Sequence, residues 1–203
     1  MTKTQFEPSI RSRPVYGELA PRPALAHLLV ADGEGGEALA DLVAKADAGF
    51  LANARIVYVP GANGTDLTDK VRALGAAQFH RSPSYTAAAP RLKKVLADAH
   101  MGTQIYLAGT EGLIGQVVAE ALAAGLPLSG IQTEHRGSTV RRVQCVHCKG
   151  ITENVRTDPF QCNHCGLHLF VRDHYSVRLA AFQGVCIDAE DPGVVPQAVE
   201  RFK

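Results

Sequence analysis

Two pairs of cysteines constrain this chain more than any other feature of its sequence. Cys145 and Cys148 form one Cys-x2-Cys pair, and Cys162 and Cys165 form a second pair after thirteen intervening residues. Each pair can fold into a tight knuckle that directs two thiolates at one point, and four thiolates suit a tetrahedral zinc ion. Four protein ligands leave no coordination position for substrate or water, so the spacing predicts a structural zinc site.

Alternative interpretations of the predicted metal site concern the identity of the ion and of its ligands. A single iron ion could occupy the same four-sulfur site, and the chain would then be an electron carrier. A nearby histidine could also replace one cysteine ligand, although four thiolates already complete a shell. The histidines concerned are His147, His164 and His168. Cys186 stands apart from both pairs, and we expect it to be a small apolar core residue.

Short apolar runs alternate with stretches of helical periodicity between residues 25 and 135. The runs that we expect to be strands are Leu25–Ala31, Ala54–Val59, Ala76–His80, Gln104–Ala108 and Ser129–Thr133. The stretches that we expect to be helices are Glu37–Ala48, Leu67–Leu74, Ala88–His100 and Leu113–Ala124. This alternation favours a parallel sheet with helices on both faces. Because crossovers are right-handed, we predict an α/β fold with a doubly wound parallel sheet, followed by a small all-β zinc ribbon.

The sequence changes character near residue 136, where helical periodicity ends. Short β-prone pieces follow at Thr139–Gln144, Leu167–Arg172 and Tyr175–Cys186. We therefore divide the chain into an extended arm (1–24), an α/β module (25–135), a zinc-ribbon β domain (136–187) and a surface tail (188–203). The arm carries four prolines as well as apolar side chains, so it is either a mobile terminus or a strap that docks on a partner.

Charge and hydropathy narrow the class of function. The 203 residues carry a formal net charge of +1, whereas a chain built to bind nucleic acid usually has a large positive excess. Residues 136–178 contain seven basic and three acidic side chains, so a nucleic-acid-binding zinc ribbon stays an alternative. The sequence has neither an apolar run of about 18 residues nor a visible secretory signal, and we expect a cytoplasmic protein without a membrane partner.

Glycines follow two of the predicted strands, at the edge where doubly wound sheets bind ligands. Gly33, Gly35 and Gly36 follow the first strand, and Gly109 and Thr110 follow the fourth. Such turns let the backbone approach a pyrophosphate, and the next helix offers its N-terminus to an anion. Neither segment reads G-x-G-x-x-G, and neighbouring glutamates would repel a phosphate. These five residues are a weak, vestigial candidate for a nucleotide site, and tight turns explain the glycines equally well.

The segment QIYLAGTEGLIGQVVAEALAAGLPLSGIQTE (residues 104–134) resembles the end of the nicotinamide-binding module of ferredoxin reductase-type flavoenzymes. Gly109 matches the glycine of that family's turn, and four later positions follow its pattern: Gly125, Pro127, Ile131 and Glu134. Ala108 replaces the family's cysteine and Thr110 its proline, and nothing resembles the flavin-binding barrel that should precede the module. The resemblance therefore implies the module's fold over about residues 25–135, with nucleotide binding lost.

A second resemblance spans nearly the whole chain. Its carrying features are RSRPVYG (residues 11–17), HLLVADGEGG (27–36), the two cysteine pairs and VRDHYSVRLAAFQGVCIDAEDPG (171–193). These segments are similar to the DmmA-type small subunit of dimethylamine monooxygenase. The resemblance implies an enzyme that oxidatively N-demethylates dimethylamine to methylamine and formaldehyde with O₂ and NADPH. It also implies partner subunits: a reductase that carries flavin and a [2Fe–2S] cluster, and a catalytic subunit that carries iron.

The sequence shows no catalytic constellation of its own. Asp173, His174, Tyr175 and Ser176 group polar side chains, but neighbours on a strand point to opposite faces and cannot form a nucleophile–base set. We therefore predict a non-catalytic, structural subunit of a hetero-oligomeric oxidoreductase. The alternatives are an electron-transfer or NAD(P)H-binding component of such an oxygenase, and a nucleic-acid-binding zinc ribbon.

Overall fold

The structure, a computed structural model, describes residues 12–99 and 102–203. These residues form two compact units. The α/β unit comprises Tyr16–Val140 and Val177–Leu179, and the β unit comprises residues 12–15, Arg141–Ser176 and Ala180–Lys203. The first eleven residues of the predicted arm lie outside the described residues. Within the described part, no helix is long and apolar enough to cross a membrane.

Five parallel strands form the sheet of the α/β unit, in the order β3-β2-β1-β4-β5. The strands are β1 (Ala26–Asp32), β2 (Ala54–Val59), β3 (Gln78–Arg81), β4 (Thr103–Gly109) and β5 (Ile131–His135). The helices are α1 (Gly35–Ala44), α2 (Thr68–Arg72), α3 (Tyr85–Ala97) and α4 (Glu111–Ala123), with 3-10 turns at Phe50–Asn53 and Leu128–Gly130. The predicted doubly wound parallel sheet is confirmed, because helices cover both of its faces.

Alternation along the strands creates the two cores. Leu28 and Val30 of β1 point to the face that α3 and α4 cover, and Leu29 and Ala31 point to the face that α1 and α2 cover. Strand order reverses direction between β1 and β4, so the carboxyl ends of these two strands border the crevice where doubly wound sheets bind ligands. We call this place the switch-point crevice.

Residues 16–22 of the predicted arm pack against β5, which is an edge strand of the sheet. The Gly17 N–H donates to the Thr133 carbonyl at 2.9 Å, and the Leu19 N–H donates to a carboxylate oxygen of Glu134 at 2.8 Å. The side chain of Leu19 is 2% exposed and lies in the core on the α1 face. This part of the arm is therefore neither a mobile terminus nor a free strap, and it covers a strand edge that would otherwise be open.

The β unit contains a five-stranded sheet in the order β7-β6-β11-β10-β9 and a two-stranded sheet of β12 and β8. Its strands are β6 (Arg141–Cys145), β7 (Ile151–Val155), β8 (Thr157–Asp158), β9 (Phe160–Gln161), β10 (His168–Ser176), β11 (Ala181–Cys186) and β12 (Val199–Glu200). The expected single piece Tyr175–Cys186 is wrong, because a turn separates β10 from β11. In this turn Ala180 adopts a left-handed φ of 51°. The sequence contains no glycine or proline there that would indicate a turn.

The carboxyl-terminal segment is more than the surface tail that the sequence suggested. Most of its side chains are exposed, but β12 pairs with β8 and Phe202 is 5% exposed within the core of the β unit. The Arg141 guanidinium lies 4.4 Å from the Phe202 ring centre and 3.9 Å from that of Phe182. The chain end is thus fixed by apolar burial and by a cation stacked between two aromatic rings.

Candidate functional site

The four paired cysteines converge at one point in the β unit. The sulfur atoms of Cys145, Cys148, Cys162 and Cys165 all lie within 4.8 Å of one another. The Cys145–Cys165 sulfurs are 3.9 Å apart and the Cys148–Cys162 sulfurs are 3.8 Å apart. Zinc–sulfur bonds of about 2.3 Å in a regular tetrahedron place the sulfurs about 3.8 Å apart. The four side chains therefore fit one tetrahedral metal ion.

The two knuckles are built alike. The Lys149 N–H donates to the Cys145 carbonyl and the Gly166 N–H donates to the Cys162 carbonyl, each at 3.0 Å. The fifth residue of each knuckle has a left-handed backbone, with φ of 64° at Lys149 and 77° at Gly166. Gly166 meets this requirement without strain, whereas Lys149 meets it with a side chain present, which sequence reasoning missed. The repeated turn explains why Cys-x2-Cys spacing brings two sulfurs together.

The thiols of Cys162 and Cys165 differ in proton affinity. Burial raises the pKa of Cys162, but hydrogen bonds from the backbone N–H groups of Cys165 and His164 and from neighbouring thiols outweigh this effect and lower the pKa to about 6. The Leu167 N–H lowers the pKa of Cys165, but desolvation and the surrounding thiols raise it to about 12. Four thiols this close together cannot all lose their protons unless a cation is bound to them. A bound cation would release the protons that the thiols still hold.

The neighbouring histidines do not belong to the cluster of ligand atoms within the described chain. The His164 Nε2 lies 2.9 Å from the Ile151 carbonyl, and a Cβ at Gly150 would overlap its ring. His164 therefore braces the two knuckles from outside. Cys186 is half-buried and packs against the core of the β unit, and its thiol donates to Asp188 at 3.2 Å. That hydrogen bond raises the pKa of the Cys186 thiol.

The polar run in β10 forms structural contacts. Asp173 forms ion pairs with Arg13 and with Arg141, the latter at 3.0 Å. The Ser12 hydroxyl donates to the Asp173 carbonyl at 3.0 Å and accepts the Tyr175 N–H at 3.1 Å, where the pairing register of β10 shifts. These hydrogen bonds hold residue 12 against the irregular part of β10. They give no nucleophile–base arrangement.

The predicted nucleotide-site residues gather at the switch-point crevice, but a carboxylate fills it. Asp32, the last residue of β1, accepts the Thr110 N–H at 2.7 Å and the Thr110 hydroxyl at 2.6 Å. The same hydroxyl accepts the Leu113 N–H at 3.3 Å and so caps α4. Sequence reasoning missed Asp32, although its place directly before a glycine turn at a strand end was a signal.

Close packing and backbone conformation account for the glycines of the crevice. Gly33 has a φ of 45° and Gly109 a φ of 122°. A Cβ at Gly35 would overlap the Ala108 carbonyl, and a Cβ at Gly109 would overlap the Asp32 carboxylate. A Cβ at Gly36 would lie 2.9 Å from a methyl carbon of Val71. These glycines let α1 and α4 approach the sheet closely, and a nucleotide role for them stays a prediction.

Comparison with known proteins identifies relatives of both units. Residues 8–131 match the N-terminal domain, and residues 142–185 the C-terminal domain, of the family described as dimethylamine monooxygenase subunit DmmA-like. Over 107 residues the chain is 38% identical to the heme-dependent oxidative N-demethylase delta subunit of Ectopseudomonas mendocina (strain ymp). That match covers 52% of this chain and 61% of the relative.

Solved structures with a similar fold include two multi-domain proteins. An intact type IV self-sufficient cytochrome P450 monooxygenase is 24% identical, with a TM-score of 0.43 over 64% of this chain and 18% of that one. The flavohemoglobin of Malassezia yamatoensis, with bound FAD and heme, is 12% identical, with a TM-score of 0.42 over 57% and 33%. The strand order β3-β2-β1-β4-β5 by itself defines the α/β unit as a doubly wound sheet.

Proposed function

The chain belongs to the DmmA-like family of dimethylamine monooxygenase subunits, and from this membership we propose that it is a non-catalytic, structural subunit of a multi-subunit oxidative N-demethylase. The observation that carries the proposal is the closed four-cysteine centre, the one group of metal-ligand atoms found among the described residues. A closed site holds a fold together and leaves no position for substrate. The reacting groups would then belong to other chains of the assembly.

The complex that we propose oxidises dimethylamine to methylamine and formaldehyde with O₂ and NADPH. The relative from Ectopseudomonas mendocina is named as heme-dependent and as a delta subunit, which supports a hetero-oligomer with iron on a different chain. NADPH, flavin and a [2Fe–2S] cluster would be carried by a reductase subunit. The matched region covers 61% of that relative, so substrate and partners are part of our proposal.

We propose zinc as the ion of the four-cysteine centre. The sulfur spacing matches a tetrahedral ion, and a small β unit gains folding free energy from such an ion because the unfolded chain has no preformed site. Zinc would link the β6–β7 turn to the β9–β10 turn and would supply no redox chemistry. One observation favours a second candidate: Cys165 is exposed, and an iron ion there would have a sulfur at the surface for electron transfer.

The test is purification of the affinity-tagged chain, alone and co-expressed with the products of neighbouring genes. We expect a stable hetero-complex with dimethylamine-dependent NADPH oxidation, and an isolated chain that is colourless and holds one zinc ion. We expect the isolated chain to oxidise neither NADPH nor dimethylamine. Turnover by the isolated chain would contradict the non-catalytic role. A visible ferric-thiolate absorbance with one iron per chain would favour the electron carrier instead.

A further inference from the structure

We propose that Asp32 takes the place of a ligand phosphate in the α/β unit and closes its switch-point crevice to dinucleotides. In doubly wound sheets, this crevice receives the ligand and the adjoining helix N-termini receive its phosphates. Here the Thr110 N–H and hydroxyl, at the start of α4, already bind a carboxylate of the chain itself. The residues present therefore do not fit the nucleotide that the fold would otherwise accept.

The first step concerns α4, a helix of 13 residues that begins beside the end of β1. Both carboxylate oxygens of Asp32 are used, one by the Thr110 N–H and one by the Thr110 hydroxyl. The carboxylate also lies against Gly109, where even a Cβ would overlap it. An external phosphate at the start of α4 would have to displace this bidentate contact.

The second step concerns α1, whose N-terminus borders the same crevice. The Gly36 N–H donates to the Gly33 carbonyl at 3.2 Å, and the Glu37 N–H donates to the Glu34 carbonyl at 3.0 Å. These first-turn donors are thus paired within the turn. The exposed Glu34 adds negative charge at the helix end where a phosphate would need positive potential, whereas the Glu37 carboxylate is paired with Lys70.

The third step concerns the charge of the Asp32 carboxylate. Burial raises the pKa of Asp32, although the Thr110 hydrogen bonds and the nearby His135 lower it. A group with this balance sits where hydration is poor, so its charge is weakly screened. A phosphate placed beside Asp32 would meet strong repulsion that solvent hardly reduces. Displacement and repulsion act together against a pyrophosphate.

The inference concerns only the α/β unit and goes beyond the proposed role as a subunit. It holds equally for zinc or iron in the β unit, and its failure would leave subunit assembly untouched. The experiment is therefore anion rescue of the full-length chain, with thermal unfolding as the readout. The probes are inorganic pyrophosphate and NADPH, added to the wild-type chain and to Asp32→Ala.

We expect pyrophosphate and NADPH to leave the unfolding temperature of the wild-type chain unchanged. Asp32→Ala should unfold at lower temperature, because Thr110 loses its acceptor, and about 10 mM pyrophosphate should raise that temperature by about 5 °C, as for a Kd of about 1 mM. If Asp32→Ala does not fold, Asp32→Ser takes its place, since a small side chain also vacates the site.

Two variants serve as matched controls. Asp32→Asn keeps an acceptor and the same volume, so it should fold and show no rescue. The Ser84 hydroxyl caps α3 by accepting the Ala87 N–H at 3.2 Å. Ser84→Ala removes this cap, so the variant should lose stability and pyrophosphate should not restore it. Stabilisation of the wild-type chain by either probe would overturn the proposal. So would an Asp32→Ala or Asp32→Ser chain that pyrophosphate stabilises no more than it stabilises Ser84→Ala.

Discussion

Replacing Leu19 with alanine tests whether the arm belongs to the α/β core in solution. The side chain is 2% exposed and packs with residues on the α1 face, including Leu39 and Phe50. The substitution removes three buried carbons, which costs about 2.4 kcal/mol in transfer free energy, and the cavity left behind adds to this. We expect a loss of about 3 kcal/mol, which corresponds to a fall of about 10 °C in the unfolding temperature.

The assay is urea and thermal unfolding followed by circular dichroism at 222 nm. This signal reports on the α/β unit, because α1 to α4 all belong to it, and the chain has no tryptophan for fluorescence. The matched control is Leu25→Ala, the same chemical change at a residue that is 80% exposed. It should shift stability by less than about 0.5 kcal/mol. Equal unfolding midpoints for the two variants would refute the packing of residues 16–22 as core.

Two further predictions concern a buried imidazole and the cysteine centre. Burial lowers the pKa of His27, although nearby Asp47 raises it. The imidazole stacks on the Phe50 ring with the ring centres 4.0 Å apart, and its Nδ1 has no hydrogen-bond partner among the described residues. The imidazole of the unfolded chain binds a proton at higher pH than that of the folded chain, so the stability should fall as pH drops below about 6.5. Between pH 5 and 7.5, the urea midpoint of His27→Leu should therefore change less with pH than that of the wild-type chain. With the proposed zinc in the four-cysteine centre, Cys162→Ser should release the ion and unfold the β unit, because structural zinc binding typically contributes about 10 kcal/mol or more to folding. Metal analysis beside a Cys186→Ser control checks this, and a Cys162→Ser chain that stays folded with one metal ion would count against a structural centre.

Local sequence patterns predict the elements of the α/β unit well. Each of its five strands lies within two residues of the expected run, since apolar runs such as Ala54–Val59 are mostly buried between the helices on the two faces of the sheet. The helix at Leu113 shows its period because one face packs on the sheet. The cysteine cluster is predictable for a related reason: two residues between cysteines suffice to make each knuckle, so spacing alone encodes the geometry.

The missed features depend on contacts between distant segments. Leu19 lies in a proline-rich stretch without periodicity, and only the Glu134 carboxylate, 115 residues away, reveals that its backbone is held. Phe202 is an isolated aromatic residue near the chain end, and it is buried by packing in the core of the β unit beside Arg141. β7 was missed because its central residues are polar, and pairing with β6 decides its conformation. A local pattern reports on its own element and carries no information about the segment that covers it.

The proposed role of Asp32 would let a doubly wound sheet keep its fold without a nucleotide. The start of a helix presents N–H groups that need an acceptor, and the helix dipole adds partial positive charge there. A bound phosphate meets both demands, and a carboxylate of the chain itself can meet them as well. Asp32 supplies one from the adjoining strand end, through two short hydrogen bonds to Thr110. In this proposal the internal anion replaces the ligand's contribution to stability, and the surface of the sheet is left for contacts with the proposed partner subunits.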